Sequence, residues 1–348
     1  MKEERKYKRI RNQILRNLSR GDKSIWEVIV NQDTHLSEVL EIISKMLESG
    51  EISVENSKLK INKDYDFPFK NVRCEWCGGR GITIKEFSYA YEKYIEMVKN
   101  RPSPVDKYDQ GYIAPEDVMR RVAYMYERGD VEGVRIMIIG DDDLCSLALA
   151  STEMPERITV MEIDERLVNY INKMAQKYGF NVDAHIFDAR KDLPKEFEKS
   201  YDVFVTDPVE TIPGIALFLS RAVSSLKEEG DSGYFGLTHQ ESSLKKWKKI
   251  EEMLLQMNFA ITDMLRDFSV YPNEENIEIS LNNYLIYRKI EKLLGRSVRP
   301  DVDFYRSTLI RVEAVDTPEP LVKGDVEITK EMYVDDESWV TALATKEV

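Results

Sequence analysis

Carboxylates close successive apolar runs in the second half of this sequence, and their types and spacing could do chemistry. The runs end in Gly140-Asp141-Asp142-Asp143, Glu162-Ile163-Asp164, Asp188-Ala189 and Asp207-Pro208-Val209-Glu210. Any one alone reads as a solvated turn or a helix N-cap. Repeated at one predicted strand end after another, they imply a single cleft rich in negative charge.

Each end has its own reading. Glu162 follows the first loop by about twenty residues, where nucleoside-binding folds place an acid that accepts both ribose hydroxyls. Asp188 stands where a carboxylate can accept a hydrogen bond from an adenine amino group. Pro208 fixes the backbone just after its strand and aims Asp207 into the cleft, where an amine would sit. The triple aspartate then discriminates between donors. An ordinary S-adenosylmethionine brings a carboxylate to this neighbourhood, and like charges held close are costly. The decarboxylated donor carries only an ammonium and a sulfonium, and carboxylates stabilise both. They would equally hold a polyamine. An attacking amine must be neutral, so a carboxylate must hold it in line and accept its proton. Asp207 or one of Asp141, Asp142 and Asp143 suits that task, because crowding raises carboxylate pKa values.

The elements that must position these groups are legible from period and punctuation. From Arg135 strands alternate with helices over 144–151, 165–178, 213–227 and 242–257. That pattern predicts right-handed βαβ units and a parallel sheet. Two further strands, 259–268 and 282–290, are expected to close it, the last antiparallel. Ahead of this lie helix, turn, helix and a short hairpin around Asn56-Ser57, the layout of a winged helix. Its second helix, near 36–48, carries Glu38, Glu41 and Glu48 against Lys45 alone. A helix meant for phosphates should be basic, so a structural role is expected. The predicted fold is therefore α/β, a Rossmann-like S-adenosylmethionine-transferase-type sheet with a small N-terminal winged-helix-like domain. The expected division is 1–72 for that domain, 73–130 for a connecting CxxC turn and helices, 131–310 for the catalytic domain and 311–348 for an acidic tail.

Composition excludes some classes. With 348 residues and 42% hydrophobic content the chain can bury a sizeable core. No apolar run reaches membrane-spanning length, and the charged N-terminus has no signal-peptide core, so a cytoplasmic protein is expected. A net charge of −13 disfavours general nucleic-acid affinity and suits small cationic partners. The high charged fraction with six glutamines hints at a thermophile. Cys74 and Cys77 form a lone CxxC, and a zinc site needs four ligands. A tight structural turn is the expected reading, with Cys145 in the core. No bound metal and no tightly held cofactor are implied. The tail, with ten Asp/Glu against four Lys/Arg, reads as inert or as an attractor of polyamine.

The motifs GDDD at 140–143, MEID at 161–164, FDARKDLP at 187–194 and TDPVETIPG at 206–214 resemble the branched-chain polyamine synthases, a branch of the aminopropyltransferases. The resemblance extends along the whole chain, including the small N-terminal domain. Linear spermidine synthases have a glycine-rich loop with one aspartate, which aligns with Asp143. The resemblance implies two successive aminopropyl transfers from decarboxylated S-adenosylmethionine to the secondary amine of spermidine, releasing methylthioadenosine; a homodimer is expected. It also implies a catalytic carboxylate in the GDDD loop, Asp141 first. Gly140, Asp143, Glu162, Ile163, Asp164, Asp188 and Ala189 would hold the donor. Asp207 and Glu210 would hold the attacking amine, with Tyr108, Asp109 and Tyr112 as lid residues and His239 on the same edge. Competing readings are an S-adenosylmethionine-dependent N-methyltransferase, though the usual aromatic after Asp-Pro is missing, and a winged-helix polyamine or nucleoside sensor.

Overall fold

The computed structural model describes residues 2–63, 65, 67, 79–273, 284–327 and 329–340. Cys74 and Cys77 lie outside the described residues.

The N-terminal unit consists of helices α1 (Lys2–Leu18), α2 (Ile25–Ile29) and α3 (Leu36–Glu48), followed by the hairpin β1 (Ile52–Glu55) and β2 (Lys58–Ile61). Asn56 and Ser57 both take positive φ, 50° and 69°, which matches a two-residue hairpin turn to strand twist. Helices α4 (Ser88–Val98) and α5 (Pro115–Glu127) lead into the larger domain, with Pro115 in the first turn as expected.

The main sheet holds β3 (Arg135–Ile139), β4 (Arg157–Glu162), β5 (Val182–Ile186), β6 (Val203–Thr206), β7 (Ser232–Thr238), β8 (Phe259–Val270) and β9 (Arg306–Ala314). Their order is β5-β4-β3-β6-β7-β9-β8. The first five pair in parallel, β9 runs antiparallel to both β7 and β8, and the sheet is mixed. Helices α6 (Cys145–Ala150) and α7 (Glu165–Tyr178) join α4 and α5 on one face, while α8 (Ile212–Ser225) and α9 (Leu244–Gln256) cover the other. The central strands are buried on both sides, which explains their unbroken apolar runs.

Two departures from the sequence reading concern the closing strands. Of the expected strand 282–290, residues 282 and 283 lie outside the described residues, and the rest is not a strand: Leu285–Leu294 is a helix, α10. Ile286 and Ile290, one helical turn apart, are fully buried in the N-terminal core, so the 3.6-residue period decides its form. The strand that pairs with β7 is instead β9, Arg306–Ala314. The expected tail boundary therefore falls inside a strand. The following segment packs back onto the domain: Val326 N–H donates to Arg190 O, and Val340 is buried.

Candidate active site

The carboxyl ends of the parallel strands open into one cavity of about 640 Å³. Strand order sets a row of acids along it: Asp188 after β5, Glu162 closing β4, Asp142 and Asp143 after β3, Asp207 and Glu210 after β6, and Glu241 after β7. With neighbouring strands about 4.8 Å apart, five strands carry the row over roughly 19 Å.

At the β5 and β4 end the acids are already committed. Arg190 donates to Asp188 from Nε (2.8 Å) and from its backbone (3.0 Å), and this pairing holds the Asp188 carboxyl below its ordinary pKa. Glu162 accepts the backbone N–H of Asp141 on one oxygen and that of Asp164 on the other, each at 2.8 Å. Burial nonetheless raises the Glu162 pKa. Lone pairs remain on both carboxylates for hydroxyl or amino donors.

The GDDD loop divides its three aspartates. Gly140 takes φ +76°, which a side chain rarely allows, and turns the chain sharply off β3. Asp141 does not line the cavity. Its carboxylate turns toward α6, accepting the Ser146 N–H at 3.3 Å and the Ser146 hydroxyl. Asp142 and Asp143 do face the cavity. Gly111 N–H reaches Asp142 at 3.1 Å, and Ile113 N–H reaches Asp143 at 2.6 Å. Both pKa values are raised, first by burial and then by carboxylate neighbours, Asp143 for Asp142 and Asp207 for Asp143. Tyr94, wholly buried, donates to the Asp143 carbonyl at 2.6 Å and pins the loop from below.

Asp207 is held by the buried Arg121 of α5, whose two terminal nitrogens lie 2.7 and 3.3 Å from its oxygens, and by Gly236 N–H at 2.7 Å. A Cβ on Gly236 would stand 2.5 Å from that carboxylate, so the close approach requires glycine. Glu210 accepts from Thr238 N–H (2.7 Å), the Thr238 hydroxyl (2.8 Å) and the Ser242 hydroxyl (2.8 Å). Burial, then the nearby Glu241, pushes Glu210 up to about 7. Glu241, also raised by burial, accepts from the Tyr305 hydroxyl at 2.8 Å and Val340 N–H at 2.5 Å. Around these acids stand Tyr271, Tyr284, Tyr287, Phe304, Tyr305 and Tyr333. Aromatic faces beside carboxylates favour alkylammonium groups.

Gly140, Ile163 and Ala189 line the cavity, as do Tyr108 and Asp109. Asp164, Tyr112 and His239 do not. Asp164, expected among the donor-holding residues, instead caps α7 and pairs with Arg166 at 2.5 Å. The Tyr112 hydroxyl donates to Pro102 O. His239 stacks on Trp247 at 4.6 Å, and burial lowers its pKa to about 4, so it is neutral. Sequence reasoning missed Glu241, although it follows β7 by the same strand-end rule. Arg121 and the aromatic wall gave no such signal, since they come from a helix interior and from segments far away in the chain. Among the described residues no group of three or more His, Cys, Asp or Glu could hold a metal ion, and no helix is long and apolar enough to cross a membrane.

Comparison with known proteins agrees with this geometry. The family described as "Branched-chain polyamine synthase A C-terminal domain" matches residues 89–340. This chain belongs to that family. The N(4)-bis(aminopropyl)spermidine synthase of Thermococcus kodakarensis is 34% identical over 327 residues, 91% of each chain. That of Methanocaldococcus jannaschii is 34% identical, covering 91% of this chain and 90% of its own. Among solved structures, a Thermus thermophilus branched-chain polyamine synthase mutein, in complex with N4-aminopropylspermidine and 5'-methylthioadenosine, superposes with a TM-score of 0.84. It is 32% identical and covers 96% of this chain and 93% of its own. Family members so named are transferases, and the expectations of an α/β transferase fold and a polyamine-synthase kinship hold.

Proposed function

We propose that this protein moves aminopropyl groups from decarboxylated S-adenosylmethionine to the secondary amine of spermidine, giving N4-aminopropylspermidine and then N4-bis(aminopropyl)spermidine. The observation that carries this reading is the row of acids in strand order, with Asp142 and Asp143 at its centre. Asp188 takes the adenine amino group and Glu162 the ribose hydroxyls. The donor's sulfonium and aminopropyl chain then reach the GDDD loop, where a methionine carboxylate would face two aspartates. Asp207, Glu210 and Glu241, with the aromatic wall, take the ammonium groups of the acceptor.

In the first transfer the neutral secondary amine attacks the carbon bonded to sulfur. The carbon–sulfur bond breaks, its electron pair stays on sulfur, and methylthioadenosine leaves. Asp142 takes the acceptor's proton, since its carboxylate faces the cavity and, among the described residues, accepts one hydrogen bond, from the Gly111 N–H. Asp207 positions the amine while Arg121 fixes its orientation. The second transfer begins from a tertiary amine and ends in a quaternary nitrogen with no proton to lose. The base therefore acts before attack, by keeping the amine neutral, and afterwards as a counter-charge. We also read the protein as a cytoplasmic homodimer, a reading supported by its composition and by the structural role expected of the N-terminal unit; light scattering tests the assembly. Mass spectrometry of products from spermidine and the decarboxylated donor tests the reaction. Mass gains of one and two aminopropyl groups are expected, and no gain refutes it.

A further inference from the structure

Lys246, in the first turn of α9, is only 6% exposed and has no part in the chemistry above. Its ammonium donates to the carbonyl of Glu210 at 2.9 Å and to that of Glu241 at 2.7 Å. Asp335 completes the set at 2.8 Å, with Glu337 at 3.7 Å. An ammonium has three donors, and here all three are spent on two main-chain carbonyls and one carboxylate. The two carbonyls belong to the acids that follow adjacent strands, so one buried cation sets the spacing of Glu210 and Glu241.

The third partner lies in the C-terminal segment, which runs along the cavity: Thr329, Lys330, Met332 and Tyr333 line it. Its near end is tied further by Ser243 N–H to Glu337 at 2.7 Å and by Val340 N–H to the Glu241 carboxylate. Its far end is held by a different buried cation. Arg221 donates to Val322 O at 3.2 Å and Gly324 O at 2.7 Å, and also to Ala189 O at 2.8 Å beside Asp188. The segment is thus fixed by Lys246 at the Glu241 end of the row and by Arg221 at the Asp188 end.

We propose that Lys246 is a positioning residue for the acceptor: it holds Glu210 and Glu241 at the separation the polyamine's ammonium groups need and fixes the C-terminal segment against them. This rests on the function proposed above. Because the Asp188 end is held separately by Arg221, losing Lys246 affects acceptor and donor unequally. A merely structural lysine would weaken both.

The test is steady-state kinetics of the full chain with Lys246→Met and Lys246→Arg, with methylthioadenosine titrated calorimetrically as the donor-side readout. Stranding two carbonyls and a carboxylate should raise the spermidine KM of Lys246→Met by roughly tenfold to a hundredfold. Methylthioadenosine affinity should hold, and Lys246→Arg should recover part of the loss. Equal losses on both sides, or an unchanged spermidine KM, overturn the proposal. Should Lys246→Met fail to fold, Asp335→Asn removes only the ion pair, from a carboxylate 30% exposed. It should raise the spermidine KM by about threefold or more without changing methylthioadenosine binding, and no change overturns the proposal. A wild type that binds spermidine but transfers nothing refutes the function, while spermidine titration of the same variants still decides the role of Lys246.

Discussion

Replacing Asp141 and Asp142 separately by asparagine distinguishes two neighbours that sequence alone presents as equivalent. Asp141 is 2% exposed, lies off the cavity and accepts the Ser146 N–H and hydroxyl at the start of α6. Asparagine keeps one acceptor oxygen there, so the cost is less than that of deleting a cap, under about 1 kcal/mol of stability. Turnover should stay close to wild type. Asp142 faces the cavity, and one backbone N–H, from Gly111, is its hydrogen-bond donor in the structure. Asparagine there preserves that hydrogen bond but cannot take a proton, which should cost a factor of about 10² to 10⁴ in kcat. The sign of the pH dependence follows from the raised pKa of Asp142, caused by burial and then by Asp143. The empty site holds a proton at pH values where an exposed aspartate is ionised, so activity is gained as pH rises through the cluster's titration. In Asp142→Asn that limb should be lost, and strongly alkaline buffer, which deprotonates the acceptor in solution, should recover part of the rate. Initial rates of methylthioadenosine formation across pH, with a thermal melt for each variant, provide the assay. A collapse in Asp141→Asn at unchanged melting temperature, with Asp142→Asn near wild type, would refute the assignment.

Other consequences concern binding. Glu210 rises from 4.5 to about 7 on burial, so across that window the folded site holds a proton that an ammonium must displace. Spermidine affinity, followed by calorimetry in buffers of different ionisation enthalpy, should climb with pH up to about 7 and then level; a flat profile contradicts this. Folding stability has the opposite trend, falling as pH rises through the same window, because the folded chain binds that proton more tightly than the unfolded one. Gly236→Ala puts a Cβ 2.5 Å from the Asp207 carboxylate. Relieving that clash moves the carboxylate by about 1 Å, which should lower kcat/KM by about a hundredfold in a folded protein, and wild-type kinetics would remove Asp207 from amine positioning. Isothermal titration should show the decarboxylated donor binding more tightly than S-adenosylmethionine by about tenfold or more, and the reverse order defeats the role given to Asp142 and Asp143.

Much of the site was legible because parallel strands are short, apolar and bounded, so the acid that follows each one is visible in sequence. Glu162, Asp188, Asp207 and Glu210 lie where the strand-end rule puts them. That rule cannot tell an acid facing the cleft from one turned back to cap the next helix. Asp141 and Asp164 both turned back, the first to Ser146 and the second to Arg166. Long-range partners were illegible for a different reason. Arg121 reaches Asp207 across 86 positions, and no local pattern marks a buried arginine in a helix of mixed polarity. The misread 282–290 segment is short and mixes aromatic with β-branched residues, so strand propensity competed with period. Burial of Ile286 and Ile290 against the N-terminal core makes Leu285–Leu294 a helix, which also places Tyr284 and Tyr287 at the cavity.

The acids of the cavity are compensated in two ways. Arg121 balances Asp207, Arg190 balances Asp188, and backbone N–H groups serve Glu162. Asp142, Asp143, Glu210 and Glu241 have hydrogen-bond donors, but burial and mutual repulsion raise their pKa values. These acids therefore keep their protons to higher pH than exposed carboxylates do, and a polyamine enters by exchanging its charge for the protons they hold. The exchange runs backwards at product release. After the second transfer the central nitrogen carries a fixed charge that no base can remove, so the product cannot leave as a neutral amine. Protons must return to the carboxylates it vacates, and their supply falls as pH rises above about 7, where Glu210 ionises. Release of the quaternary product should therefore slow with rising pH while the chemical step does not. Rapid-quench experiments above that pH should show a burst of methylthioadenosine followed by a slower steady state, and a linear time course at every pH would refute proton-coupled release.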